Sequence, residues 1–144
     1  MLEGVRDEVW LGIDPGKARC GVAASDPSAT LASPICAVTT EPRATLVPRV
    51  IGALGNRTPI GLVVGLPLDQ RGNEGEAAQF AREIGGQLAL GLKLEAVYVD
   101  ERFTTSEATQ RRREAGKKRK QIAAEIDAFA AAAILQSYLD RRGV

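Results

Sequence analysis

The chain has 144 residues, of which 44% are hydrophobic and 26% charged, with a formal net charge of +1. That composition suits one soluble globular domain with a single core. There is no histidine, which excludes His-dependent triads, His-rich zinc sites and any imidazole general base. No stretch approaches about eighteen uninterrupted apolar residues, and the first eight residues lack a signal-peptide core. Cys20 and Cys36 lack metal-type spacing, so reduced thiols in a cytoplasmic protein without membrane contact are expected.

Residues 8–13 read as a first strand, nearly all apolar and so buried on both faces. Pro15-Gly16 signals a turn. Residues 19–24 and 34–39 read as a second and a third strand, and the short connections predict an antiparallel meander. Residues 43–54 have helical apolar spacing, with Pro48 expected to kink that helix or confine it to later turns. A fourth strand is expected over 60–66, a second helix over 74–90 and a fifth strand over 94–99. A helix start follows at 104–113, capped by Thr105 or Ser106, and a last helix covers about 118–139. Hairpin strands followed by alternating helices and strands give a mixed α/β sheet. No repeat or linker divides residues 1–144, so one domain is expected.

Three acidic positions carry most of the chemical information. Asp14 ends the first strand in Gly12-Ile13-Asp14-Pro15-Gly16. Asp100-Glu101 ends the fifth, and Asp127 lies among Ala123, Ala124, Ala130, Ala131, Ile134 and Tyr138 on the apolar side of the last helix. At about 100° per residue, Gln121, Glu125 and Gln136 fall on another face, roughly 120–180° away. Asp127 is therefore expected near the middle of the buried face. Taken singly, each acid also has a bland reading: an Asx turn for Asp14, an arginine or backbone partner for Asp127. Two adjacent acids at a strand end point to opposite faces, and parity alone does not say which of Asp100 and Glu101 turns inward. Carboxylates in apolar surroundings need a cation. Hard oxygen ligands favour Mg²⁺ or Mn²⁺. Two such ions roughly 4 Å apart suit phosphodiester hydrolysis by in-line displacement, which needs no histidine.

Between Arg111 and Lys120, seven of ten residues are Lys or Arg. Such density points to phosphate contacts more than to a solvated face. Aromatic residues are 4% of the chain and none interleaves with these charges, so recognition by backbone shape and charge is expected rather than base stacking.

These residues resemble the YqgF, or RuvX, family of bacterial RNase H-fold nucleases, described as Holliday-junction-resolvase-like. The resemblance covers nearly the whole chain. Its landmarks are Gly12-Ile13-Asp14-Pro15-Gly16, Arg19-Cys20-Gly21-Val22-Ala23, Ser25-Asp26-Pro27 and Val64-Gly65-Leu66-Pro67-Leu68. Asp100-Glu101-Arg102-Phe103-Thr104-Thr105 and, further on, Ile126-Asp127 complete them. The resemblance implies an RNase H-like fold: a five-stranded mixed sheet, made of a three-strand antiparallel meander plus two parallel strands, flanked by helices. It implies a metal-dependent nuclease, an endonuclease, maturing the 5′ end of pre-16S ribosomal RNA, with Asp14, Glu101 and Asp127 as catalytic metal ligands and Asp100 as the alternative to Glu101. Lys17, Arg19 and Arg102 then stand as basic residues near the site, joined in nucleic-acid binding by Arg112, Arg113, Lys117, Lys118 and Lys120. Ala18 separates Lys17 from Arg19 where the family usually has Lys and Arg adjacent.

The partner is expected to be structured RNA or branched DNA. Junction resolution in DNA recombination or repair is the alternative, and it carries the expectation of a C2 homodimer. A non-catalytic RNA-binding module is a second alternative. One lobe of an actin-like ATPase also begins with Gly-Ile-Asp-x-Gly, but it requires a second lobe and further phosphate-binding glycine loops that this sequence lacks.

Overall fold

The computed structural model describes residues 7–101 and 119–142. Its strands are β1 (Trp10–Asp14), β2 (Arg19–Ser25), β3 (Ala32–Thr39), β4 (Gly61–Leu66) and β5 (Ala96–Asp100). They form one five-stranded sheet in the order β3-β2-β1-β4-β5. β1 pairs antiparallel with β2, and β2 with β3, whereas β1–β4 and β4–β5 are parallel. The sheet is thus a three-strand meander extended by two parallel strands, as the sequence leads one to expect. The helices among the described residues are α1 (Leu46–Leu54), entered through a 3-10 turn at Arg43–Thr45, α2 (Glu76–Leu92) and α3 (Arg119–Arg142). The helix start expected at 104–113 lies outside the described residues.

Strand alternation sorts the two faces. Leu11 and Ile13 of β1, Cys20 and Val22 of β2, and Leu62 and Val64 of β4 pack with Leu46, Val50 and Leu54 of α1 and Ile84 and Leu88 of α2. The alternate residues Ala23, Val63 and Val99 pack with Ala131, Ile134, Leu135 and Leu139 of α3. β1 and β4 are therefore covered on both sides, which is why they read as unbroken apolar runs.

On the α3 face the sheet carries glycine where the helix comes closest. A Cβ at Gly12 would lie 2.7 Å from Leu135 Cβ, and one at Gly21 only 1.8 Å from the Asp127 carbonyl oxygen. These neighbours are backbone or the first side-chain atom, so no rotamer change relieves the contact. The main chain of α3 therefore touches the sheet directly. This corrects the position that periodicity suggests for Asp127. The fully covered strip runs through Ala128, Ala131, Leu135 and Leu139, and Asp127 lies on its flank with its side chain 22% exposed. The helix is rolled so that its smallest side chains meet the glycines, which turns Asp127 sideways toward the end of β1.

Several boundaries differ from the sequence reading for local reasons. Pro48 falls in the first turn of α1, where its missing N–H would have had no helical partner, so it does not kink the helix. β3 begins at Ala32 and includes Pro34, which an edge strand tolerates beside the register shift at Val22/Ala23. α2 starts late because Asp69 closes the preceding loop. Its Oδ1 accepts from Arg71 N at 2.9 Å and Asn73 N at 2.8 Å. α3 runs on to Arg142, whose guanidinium pairs with Glu8 at 3.2 Å and lies over Trp10 at 5.1 Å. From Gln121 to Arg142 this helix is long and apolar enough, by length and composition, to cross a membrane; here its apolar strip is spent on the sheet.

The glycine contacts give a paired test. Gly21→Ala is expected to lower the unfolding free energy by about 3 kcal/mol or more, since helix and sheet must separate. Gly52→Ala, in α1 with nothing within 4 Å of the added Cβ, should raise it by about 0.5–1 kcal/mol. Urea denaturation of both measures this, and equal small effects would mean that α3 does not rest on the sheet at Gly21.

Candidate active site

Asp14 is the last residue of β1 and shares its face with Gly12, the face covered by α3. The chain then turns back tightly: a Cβ at Gly16 would sit 2.4 Å from the Arg19 carbonyl oxygen. Thr40, fully buried, ties this turn down. Its hydroxyl donates to Gly16 O and its N–H donates to Ala18 O at 3.1 Å. Lys17 projects from the turn as an exposed residue, and Arg19 opens β2.

Glu101 follows β5 directly. By alternation it shares the α3 face with Val99, while Asp100 shares the opposite face with Tyr98. Between β1 and β5 lies β4, and its residue at this level is Gly65, where a Cβ would stand 2.3 Å from Glu101 Oε1 and 2.5 Å from Ile134 Cδ1. Only glycine lets the Glu101 carboxyl cross over β4. It reaches Asp14, and the two carboxyl groups are hydrogen-bonded. Glu101, not Asp100, therefore makes this contact. Asp127 approaches from α3, near enough for its charge to act on Asp14, and accepts from Arg19 Nε at 2.7 Å.

The electrostatics follow from this crowding. Burial first, then the charge and hydrogen bond of Glu101 and the charge of Asp127, push the Asp14 carboxyl up to about 8. Burial also raises Glu101, helped by the charge of Asp100 and opposed by the hydrogen bond from Asp14. Both shifts favour one proton held by the pair. Two carboxyl groups sharing one proton lack positive charge. The donor set fits a hard divalent ion: carboxylate oxygens from three elements, with no imidazole in the chain and no thiol among them. Among the described residues, no three His, Cys, Asp or Glu already stand as a metal-holding group, and the Asp127 carboxylate is engaged by Arg19 instead.

Of the basic residues singled out in the sequence, Lys17 and Arg19 lie at this rim. Arg102, Arg112, Arg113, Lys117 and Lys118 lie outside the described residues, and Lys120 falls in the first turn of α3. Gly12, Gly21 and Gly65, which enter the sequence reading only within the family motifs, and Thr40, which does not enter it, position the site. Isolated glycines inside apolar strands were the available signal, since they mark close backbone approach.

The raised Asp14 value sets the pH dependence of the metal-free protein. Between its ordinary 3.8 and about 8 the folded state holds a proton that the unfolded chain has released. Stability therefore falls as pH rises through that window, and the raised Glu101 acts in the same sense. In EDTA, urea unfolding should show wild type less stable at pH 8 than at pH 5. Asp14→Asn should shrink that difference and exceed wild type at pH 8. Equal wild-type stability at both pH values would mean that Asp14 ionises as an ordinary carboxylate.

Comparisons with known proteins place the chain. The family described as "RuvX: Holliday junction resolvase" matches residues 8–141. A Chloroflexus aurantiacus protein named "Putative pre-16S rRNA nuclease" is 36% identical over 138 residues, 96% of this chain and 90% of that one. A Cutibacterium acnes protein of the same name is 40% identical over 134 residues, 92% and 82% of the two chains. Among solved structures, Thermus thermophilus RuvC in complex with a Holliday junction substrate superposes with a TM-score of 0.55 at 18% identity, covering 95% of this chain and 97% of that one. That likeness is one of fold, and the five-stranded mixed sheet with its helices is RNase H-like. With the sequence match spanning almost every described residue, the chain belongs to the RuvX family.

Proposed function

We propose that this chain is a divalent-metal-dependent nuclease whose Asp14, Glu101 and Asp127 hold one or two Mg²⁺ or Mn²⁺ ions, and that it processes the 5′ end of pre-16S ribosomal RNA in the cytoplasm. One observation carries the reading: acids from the end of β1, the end of β5 and the flank of α3 are gathered at one end of the sheet, where Glu101 crosses over Gly65 toward Asp14 and Arg19 of the adjoining β2 holds Asp127. Membership in the RuvX family and relatives named for pre-16S rRNA cleavage support it. The protein is a hydrolase of nucleic-acid ester bonds.

The ion would supply Lewis-acid charge to the scissile phosphate and a more acidic attacking water. The chain's own residues do the rest. Gly65 leaves room for the Glu101 carboxyl above β4. Once the proton held by the Asp14–Glu101 pair has passed to bulk water, oxygens of both would be free for a cation. Lys17 and Arg19, on a turn held by Thr40, offer charge to the phosphates flanking the scissile bond. Arg102, Arg112, Arg113, Lys117, Lys118 and Lys120 add positive charge for further phosphate contacts. With so few aromatic residues, recognition depends on backbone shape and charge.

The family description favours a second substrate, the four-way DNA junction, for which a C2 homodimer would present two sites.

Cleavage with Mg²⁺ or Mn²⁺ of a single-stranded RNA carrying the pre-16S 5′ leader, beside a four-way DNA junction, tests both substrates. Wild type should cut the RNA in preference. Asp14→Asn and Asp127→Asn should each lose at least about 10²-fold in rate while remaining folded. Preference for the junction would move the substrate to branched DNA. No cleavage of either by folded wild type that still binds nucleic acid would leave a non-catalytic RNA-binding module. The basic segment has its own test. Replacing Lys117, Lys118 and Lys120 by Gln should weaken RNA binding and flatten its log–log salt slope by about 1 for each phosphate that is no longer neutralised. An unchanged slope would remove this segment from the interface.

A further inference from the structure

Arg19 stands apart in this charge arrangement. Its Nε donates to Asp127 Oδ2 at 2.7 Å, while the arginine side chain is 42% exposed. A guanidinium carries five N–H donors in a planar fork, and this bond engages one of them. The same fork fits a phosphate as well as a carboxylate. Asp14 and Glu101, by contrast, are bonded to each other. The three acids are therefore divided into an inner pair and an outer member neutralised by a side chain from the rim. That division agrees with the lack of a ready three-ligand group among the described residues.

Resting on the metal-nuclease reading above, we propose that Arg19 is a substrate-sensing latch. In the free protein it holds the Asp127 carboxylate away from the Asp14–Glu101 pair. A phosphate of the incoming strand takes the guanidinium, and Asp127 is released to complete the metal site. No covalent bond changes; one anionic partner of Arg19 is exchanged for another. A half-exposed ion pair is weakly held in water, so a phosphodiester offering bidentate geometry competes for it. Metal and nucleic acid then strengthen each other's binding, by the same factor in either order. Arg19 is a positioning residue in this scheme, acting through Asp127.

Calorimetric titration with Mn²⁺ tests the latch, on wild type, Arg19→Gln and Lys17→Gln, each with and without a short phosphorothioate oligonucleotide that resists cleavage. Wild type should bind Mn²⁺ about tenfold more tightly when the oligonucleotide is present. Arg19→Gln should already bind tightly alone and gain little from the oligonucleotide. Lys17→Gln removes the same charge two residues away but frees no carboxylate, so its gain in Mn²⁺ affinity without oligonucleotide should be several-fold smaller than that of Arg19→Gln at physiological salt. Should Arg19→Gln lose its far-UV circular dichroism, Arg19→Met, which keeps the apolar stem, takes its place. Equal Mn²⁺ affinity in wild type and the Arg19 variant overturns the latch and leaves the metal centre standing. Equal tightening in the Arg19 and Lys17 variants reduces the effect to net charge and also overturns it. No Mn²⁺ binding by any of the proteins, with or without oligonucleotide, overturns the metal centre itself and the latch with it.

Discussion

The carbonyl oxygen of Asp127 lies where a side chain on Gly21 would have to be, and that contact sets the geometry of the whole candidate site. α3 is the only described helix on its face of the sheet, and its position depends on three strands presenting hydrogen instead of Cβ. At Gly12 and Gly21 the neighbours are the backbone or Cβ of α3; at Gly65 they are the end of Ile134 and the carboxyl of Glu101. The helix answers with alanines at 128, 131 and 132 along its covered strip. Small groups on both sides let main chain approach main chain, and the interface is then too tight to slide without clashes. An acid on the flank of the helix is thereby held at a fixed place beside the end of β1.

The sheet topology explains why the acids meet at that end. β1, β4 and β5 run parallel, and the chain leaves β1 for β2 on one side while β4 pairs on the other. Open sheets with helices on both faces bind ligands beyond the carboxyl ends of their parallel strands, where the connections diverge. Asp14 and Glu101 lie at two such ends with one strand between them. Because that strand carries glycine there, the two carboxyl groups touch instead of being walled apart.

Such a concentration of carboxylates is unfavourable on its own, and the protein meets the cost with two positive groups. The raised Asp14 and Glu101 carboxyls favour a shared proton, and a guanidinium sits against Asp127. Both are replaceable, one by a change of charge state and the other by an anion of similar geometry. The surroundings are less pliable: Thr40 holds the turn that carries Arg19, and Gln136 bridges α3 to the loop before β3, donating to Thr30 O and accepting from Ala32 N at 2.9 and 2.8 Å. Rigid supports around exchangeable counter-charges fit a site that reorganises when a polyanion arrives.

Much of this was legible in the chain itself. Apolar runs bounded by Pro and Gly gave five strands and the mixed sheet, since strands covered on both faces cannot carry polar residues. The lack of histidine and the acids at the ends of two apolar runs pointed to hard-cation chemistry, because unpaired carboxylates are costly in such places. Other matters lay beyond the sequence. Whether Asp100 or Glu101 faces Asp14 depends on which side of β5 α3 covers, and that side is settled by contacts distant along the chain. The sideways turn of Asp127 comes from backbone contact at Gly21, which helical periodicity does not encode. The Arg19–Asp127 pair joins residues 108 positions apart. Residue types and local spacing determined the elements and the acids at their ends; only long-range packing decided which side chains meet, because the roll of a helix on a sheet is set by the shape of both surfaces together.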